Sequence, residues 1–215
     1  MLIPLPANDL FATQTPPLQR LPMADAELYF QLNFFDSRTS QDALEQLRED
    51  TAWRHEQIVL FGRRHWQPRL VAAHGDSDTA YRYSGLTLPM QPWTPLLLNI
   101  RQAVEQAAGQ SFNSVLLNFY RDQHDSMGWH SDDERELGPQ PVIASVSFGA
   151  MRTLKFRHKQ RRELKSVAMD LTGGSLLVMA GTTQQFWKHA VEKARHACDA
   201  RINLTFRQIL PPARA

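Results

Sequence analysis

The clearest chemistry in this 215-residue chain sits on three ionisable side chains. In Gly128-Trp129-His130-Ser131-Asp132-Asp133-Glu134, His130 and Asp132 stand two positions apart. Alternate side chains of extended chain share a face, so an imidazole and a carboxylate come to one side. Taken alone, such a pair is more often structural than functional. A second imidazole, His189, lies in Phe186-Trp187-Lys188-His189-Ala190-Val191, after an apolar run and the small-residue turn Gly181-Thr182-Thr183. Taken singly, His189 reads better as a hydrogen-bonded loop histidine. Together, two imidazoles and one carboxylate can occupy one face of an octahedron and leave three positions open, the arrangement used by non-haem Fe(II) oxygenases.

A third segment changes the weight of the first two. Through Ala200-Arg201-Ile202-Asn203-Leu204-Thr205-Phe206-Arg207 the residues alternate without a break. Arg201, Asn203, Thr205 and Arg207 point one way, and Ile202, Leu204 and Phe206 point to the core. The two arginines lie roughly 20 Å apart along a strand, yet their long side chains can converge on a small dianion between them, and guanidinium forks match carboxylates two bonds at a time. The competing reading is a solvated strand face. Beside a facial metal set, a face for a co-substrate with two carboxylates is the more economical one.

These residues need a rigid frame. From Ser111 onward the chain breaks into short β-rich runs: Ser114 to Tyr120, Val142 to Phe148, Thr153 to Arg157, Ser166 to Leu171, Ser175 to Ala180, and Ala200 to Leu210. Two helices are expected before them. One runs from about Ser40 to Thr51, capped by Thr39 or Ser40, with Ala43, Leu44 and Leu47 at helical spacing. The other starts at Thr94 as N-cap with Pro95 in the first turn and stops at Gly109. Residues 1–25 carry Pro4, Pro6, Pro16, Pro17 and Pro22 and read as an extended arm. The expected class is α+β, mainly β, in which a sandwich, barrel or jelly roll has helices packed on one face.

Composition bounds the rest. With 42% hydrophobic and 21% charged residues the chain is neither disordered nor fibrous. No apolar run approaches the ~18 residues needed to cross a bilayer, and the N-terminus lacks the pattern of a secretory leader, so a cytoplasmic protein is expected, or a nuclear one in a eukaryote. One cysteine, Cys198, excludes thiolate-rich metal sites. His124, His196 and Cys198 fit no standard zinc spacing. A net charge of +2 predicts no nucleic-acid partner by itself, so any basic surface must be local.

Several motifs resemble the AlkB family of Fe(II)- and 2-oxoglutarate-dependent dioxygenases, and within it the DNA-repair branch. They are Asn118-Phe119-Tyr120, His130-Ser131-Asp132-Asp133-Glu134-Arg135, Ser145-Val146-Ser147-Phe148-Gly149, Phe156-Arg157-His158-Lys159, His189 and Arg201 through Arg207, with Phe61-Gly62 and Tyr83-Ser84-Gly85-Leu86 upstream. The resemblance spans about residues 58–210. It implies a double-stranded β-helix (jelly roll) core over about 111–210, a nucleotide-recognition part over about 55–110, and a dioxygenase domain over 26–215. It also implies that His130, Asp132 and His189 hold Fe(II), that Arg201 takes the distal carboxylate of 2-oxoglutarate with Asn118 and Tyr120, and that Arg207 faces the carboxylate beside the keto group. Asn203 and Thr205 complete that cofactor face.

The implied activity is demethylation of N-alkylated bases such as 1-methyladenine and 3-methylcytosine in DNA. It consumes O2 and releases formaldehyde, succinate and CO2, on a monomer that touches no membrane. RNA or a protein side chain as substrate, or a silent nucleic-acid binder, are the alternatives. The target base must leave the stack. Tyr81 and Tyr83, two apart on one strand face, are the expected stacking partners, Phe61 the wedge beside Gly62, and Arg82 a further substrate-binding residue, while Arg63, Arg64 and His65, with Arg157, Lys159, Arg161, Arg162 and Lys165, form local basic clusters suited to phosphates. Asp133 and Glu134 are expected to favour a cationic lesion by charge. After His189 the run Ala190 to Arg195 is less basic than in duplex-specialised relatives, which leaves strand preference open.

Overall fold

The computed structural model describes residues 17–60, 62–77, 81–83 and 86–211. In chain order the elements are β1 (Gln19–Leu21), β2 (Glu27–Gln31), α1 (Ser37–Asp50), β3 (Gln57–Leu60), β4 (Arg63–Trp66), β5 (Leu70–Gly75), β6 (Tyr81–Tyr83), β7 (Leu86–Leu88) and α2 (Pro95–Ala108). They continue with β8 (Ser114–Tyr120), β9 (Met127–His130), β10 (Ile143–Gly149), β11 (Arg152–His158), β12 (Val167–Leu171), β13 (Leu176–Ala180), the short α3 (Thr183–Phe186), β14 (Trp187–Val191) and β15 (Arg201–Arg207). The protein is mostly β with few helices. A seven-stranded sheet runs β1-β2-β13-β10-β15-β8-β5, a four-stranded one runs β12-β11-β14-β9, and two ribbons, β3-β4 and β6-β7, stand apart.

Burial explains why the large sheet reads as it does. One apolar cluster joins it to the four-stranded sheet, with Phe30, Leu116 and Tyr120 meeting Phe156, Met169 and Trp187. A second covers its other face, where Leu117, Phe148, Ile202, Leu204 and Phe206 meet Ala43 and Leu47 of α1 and Leu97, Ile100 and Val104 of α2. Both long helices therefore pack on one face. A strand covered on both sides has no solvent face, which is why every residue of β8 and β15 is buried.

The second helix follows the expectation closely. The Thr94 hydroxyl accepts the Leu97 N–H at 3.2 Å, Pro95 opens the first turn, and Gly109 closes it at φ 63°. The first helix starts earlier than expected. Asp36, not Thr39 or Ser40, is its N-cap and accepts the Thr39 N–H at 2.8 Å. Ser40 is buried and donates to the Phe35 carbonyl instead. The acidic residue won because its carboxylate reaches the exposed backbone donors of the first turn. Of the strands before Ser114, only β6, with Tyr81 and Tyr83, had a counterpart in the sequence reading. Among them, β1 is the edge of the large sheet, and Trp187 Nε1 donates to Ala24 O at 2.8 Å, so residues 17–25 lie on the domain. No helix among the described residues is long and apolar enough to cross a membrane.

Candidate active site

Pairing of β14 with β9 builds the first part of the site. His189 is the register partner of His130, and the two rings meet edge to face with centroids 4.2 Å apart. Asp132 follows two residues after β9 ends. One ligand-type atom from each of His130, Asp132 and His189 lies within 4.8 Å of the others. It is the one such group of His, Cys, Asp or Glu among the described residues; His124, His196 and Cys198 form none.

Local bonds set the donor atoms. His130 Nδ1 donates to the Gly128 carbonyl at 2.8 Å, which turns the Nε2 lone pair outward. Asp132 is 1% exposed, and its Oδ1 accepts from Arg207 Nη2 at 2.6 Å while Oδ2 lies 3.7 Å from His189 Nε2. Burial alone would raise the Asp132 pKa, but the charges of Arg207, His189 and His130 hold it down at about 2. Burial, with the neighbouring His130, drives His189 down to about 3, and burial also lowers His130. The group thus presents an anionic carboxylate and neutral imidazoles at neutral pH, the protonation state that metal ligation requires. The donor set fits Fe(II).

The large sheet supplies the opposite wall. On β15 the alternating polar side chains are all buried, with Arg201 at 1% and Arg207 at 2% exposure, so this is no solvated strand face. Arg201 Nη2 donates to Ser147 Oγ at 2.9 Å, and its guanidinium lies 5.2 Å from the Tyr120 ring centre. Its Nε and Nη1 are buried with no hydrogen-bond partner among the described residues. Burial lowers its pKa to about 10, which still leaves it charged at neutral pH. A buried cation with unused donors fits an anionic ligand. Asn203 and Thr205 are occupied otherwise. Asn203 donates to Ser145 Oγ and the Val146 carbonyl, and Thr205 donates to Asn203 Oδ1, so they stitch β15 to β10.

The structure brings in residues that sequence reasoning missed. Arg69, 4% exposed, donates through Nε to Asn118 Oδ1 at 2.7 Å and ties that asparagine to the start of β5. No motif marks it; only the β5-β8 pairing sets it there. Gln184 also reaches the segment after β9, as does Lys159 of the motif noted above.

The substrate-side residues divide. Asp133 is exposed and bonded to Lys159 Nζ at 2.8 Å. Glu134 has a buried Oε2 with no hydrogen-bond partner among the described residues. Burial raises its pKa to about 7, with Arg207 opposing and Asp132 and Asp133 adding to the rise. Gly62 closes the two-residue β3-β4 hairpin at φ 75°, a backbone setting that favours glycine. Arg63 is exposed on β4. Tyr81, Arg82 and Tyr83 form β6, paired with β7. Phe61 lies outside the described residues.

The description "2OG-Fe(II) oxygenase superfamily" matches residues 27–207. The chain is 41% identical over 189 residues to rat "Alpha-ketoglutarate-dependent dioxygenase alkB homolog 3", covering 84% of this chain and 63% of that protein. It is 46% identical over 160 residues to mouse "DNA oxidative demethylase ALKBH2", covering 72% of this chain and 67% of that one. The chain spans 63% to 65% of the length of the alkB homolog 3 relatives it matches. "The structure of OsALKBH1" superposes with a TM-score of 0.62 at 18% identity over 89% of this chain and 100% of that one, a likeness of fold. With its motifs matched over 27–207 and relatives at 41% to 46% identity, the chain belongs to the 2OG-Fe(II) oxygenase superfamily and, within it, to the AlkB family.

Proposed function

We propose that this chain is a dioxygenase that demethylates N-alkylated bases in nucleic acid, with DNA as the main substrate, using Fe(II), 2-oxoglutarate and O2. The name of the mouse relative, a DNA oxidative demethylase, agrees with that reading. The observation that carries it is the juxtaposition of the His130, Asp132 and His189 group with the buried polar face of β15, linked by the Arg207 to Asp132 bond. Two imidazoles and a carboxylate beside a buried, partly unsatisfied arginine make a place for an iron and a dicarboxylate together.

In this reading His130, Asp132 and His189 hold the metal, which with 2-oxoglutarate and O2 supplies oxidation of a methyl C–H bond and yields formaldehyde, succinate and CO2. Arg207 keeps Asp132 ionised through their bond and faces the carboxylate beside the keto group. Arg201 takes the distal carboxylate; its desolvation cost is already met in the folded protein, so binding adds partners to bare donors. Tyr120 and Ser147 hold that guanidinium in place, Asn118 is aligned by Arg69, and Asn203 and Thr205 keep β15 in register. Glu134 selects the lesion: a cationic base beside it favours its ionised form, and a neutral base does not. Asp133, bonded to Lys159, contributes charge at longer range. Phe61, Gly62, Arg63, Tyr81, Arg82 and Tyr83 grip the flipped nucleotide and its neighbours.

The finer architecture goes with this assignment. The two sheets form a jelly roll, residues 55–110 recognise the nucleotide and 111–210 are the catalytic core; of the expected arm over 1–25, residues 1–16 lie outside the described residues and 19–21 are β1 of the large sheet. The same reading takes the protein to act as a monomer. A single cysteine suits a reducing cytoplasmic or nuclear compartment. The test is formaldehyde release from a 3-methylcytosine oligonucleotide by protein loaded anaerobically with Fe(II). Release that requires both iron and 2-oxoglutarate is expected; no release from any alkylated oligomer, with iron bound, rejects the substrate assignment.

A further inference from the structure

The segment that carries Asp132 has no secondary structure of its own, yet its carboxylate must meet two imidazoles on neighbouring strands. Something must fix it. Gln184, in the short α3 turn, is 1% exposed. Its Oε1 accepts the backbone N–H of Asp132 at 2.9 Å, and its Nε2 donates to Met179 Sδ at 3.5 Å. Lys159 Nζ then donates both to the Gln184 carbonyl and to Asp133 Oδ2, each at 2.8 Å. The neighbouring Ser131 hydroxyl donates to the Trp187 carbonyl at 2.9 Å. Two consecutive residues, 131 and 132, are thus bonded directly to the turn and strand that lead into His189, and Asp133 is bridged to that turn through Lys159.

We propose that Gln184 is a positioning residue for the metal site: its side-chain amide clamps the Asp132 backbone to the turn preceding His189 and so sets the spacing of two ligands before any metal binds. The physical reason lies in the connectivity. His189 follows Gln184 by five residues in the same rigid stretch, while Asp132 is distant in sequence. One hydrogen bond between them converts a loop position into a defined one, and the Met179 contact holds the amide so that its oxygen, not its nitrogen, faces the Asp132 N–H. Residues outside the ligand set that orient the ligands typically change metal affinity about 10- to 100-fold.

This rests on His130, Asp132 and His189 being the metal ligands, and its test does not use demethylation. Co(II) is titrated into the full-length apo protein, following its d–d absorption. Gln184→Leu keeps the volume and removes the acceptor; its Co(II) affinity is expected to fall about 10- to 100-fold with a changed absorption envelope, and Gln184→Glu, which keeps an acceptor oxygen, recovers most of the loss. Wild-type affinity and spectrum in Gln184→Leu, or equal losses in both variants, overturn the proposal. Should Gln184→Leu not fold, amide exchange of wild-type apo protein decides: the Asp132 N–H is expected to be protected, and exchange at the rate of an open chain overturns it. Co(II) binding without any demethylation counts against the substrate assignment alone, whereas a wild-type chain that binds no Co(II) overturns both readings.

Discussion

The arginine pairs of β15 and β4 could hardly be treated more differently. On β15, Arg201 and Arg207 are sealed between two sheets. On β4, Arg63 and Arg64 stand on a two-stranded ribbon with every residue of the strand exposed. The first pair lost its water during folding and retains its charge, so each guanidinium is a committed donor whose partners must be protein or ligand. The second pair is fully hydrated and can meet phosphates only in exchange for water and counterions, singly weak and sensitive to salt. Burial, rather than residue type, separates the two pairs in this molecule.

Breaking the buried side of that contrast has the largest effects. Asp132→Ala removes a metal ligand and leaves Arg207 buried without its carboxylate. Iron-dependent turnover should vanish, and urea denaturation should report a loss of about 3 to 5 kcal/mol, the usual cost of breaking a buried ion pair from one side. Nucleic-acid affinity by fluorescence anisotropy should persist, because the phosphate contacts lie elsewhere; retained turnover would contradict the ligand assignment. Next comes Arg201→Ala. The apparent affinity for 2-oxoglutarate should fall tenfold or more, as for loss of about 1.5 to 3 kcal/mol from a charged hydrogen bond. An unchanged 2-oxoglutarate saturation curve removes Arg201 from that role.

The exposed side should respond differently in kind. Arg63→Ala is expected to lower the slope of log affinity against log salt for a single-stranded oligonucleotide by about 0.7 to 1, with the 2-oxoglutarate saturation curve unmoved. A shift in that curve would blur the division between the two strands. Thr94→Ala, on neither strand, should cost about 1 kcal/mol through loss of the α2 cap, seen as a lower urea midpoint alone.

A pH dependence sharpens the contrast from a third direction. His74 on β5 is buried, donates through Nδ1 to the Pro92 carbonyl, and has its pKa pushed below 6.5 by burial, with the Pro92 bond opposing. The unfolded chain takes up a proton there that the folded one refuses. Its contribution to stability is complete above pH 6.5 and declines as pH falls below that value. His74→Asn should flatten the dependence of the urea midpoint on pH between about 5 and 7; an equally steep variant would assign the effect elsewhere.

Much of this was legible in the chain and some was not, for reasons that differ residue by residue. The second helix, Thr94 to Gly109, was readable end to end because its cap, first-turn proline and stop are all local signals. So was β8, whose bounds match the expected run from Ser114 to Tyr120. The strands β9 and β14, which carry His130 and His189, were legible only as extended chain and a later strand, without bounds: four and five residues long, they mix Trp, Lys and Gly with their apolar positions and take their conformation from pairing with each other. Asp36 displaced the expected caps of α1 because two good capping residues stood just behind it in sequence, and sequence offers no way to rank them.

By itself the sequence determined the residue types that could share a metal, the alternation that separates the polar from the apolar side of β15, and the family motifs. Those are matters of chemistry and period, and period is local. Only the tertiary structure decided that both faces of β15 are buried, that Arg207 grips Asp132 across the sheets, that Asn203 and Thr205 serve the backbone, and that Arg69 and Gln184 belong to the site at all. Each of those facts depends on which strand lies beside which, a contact between residues tens of positions apart, and no local pattern of side chains encodes it.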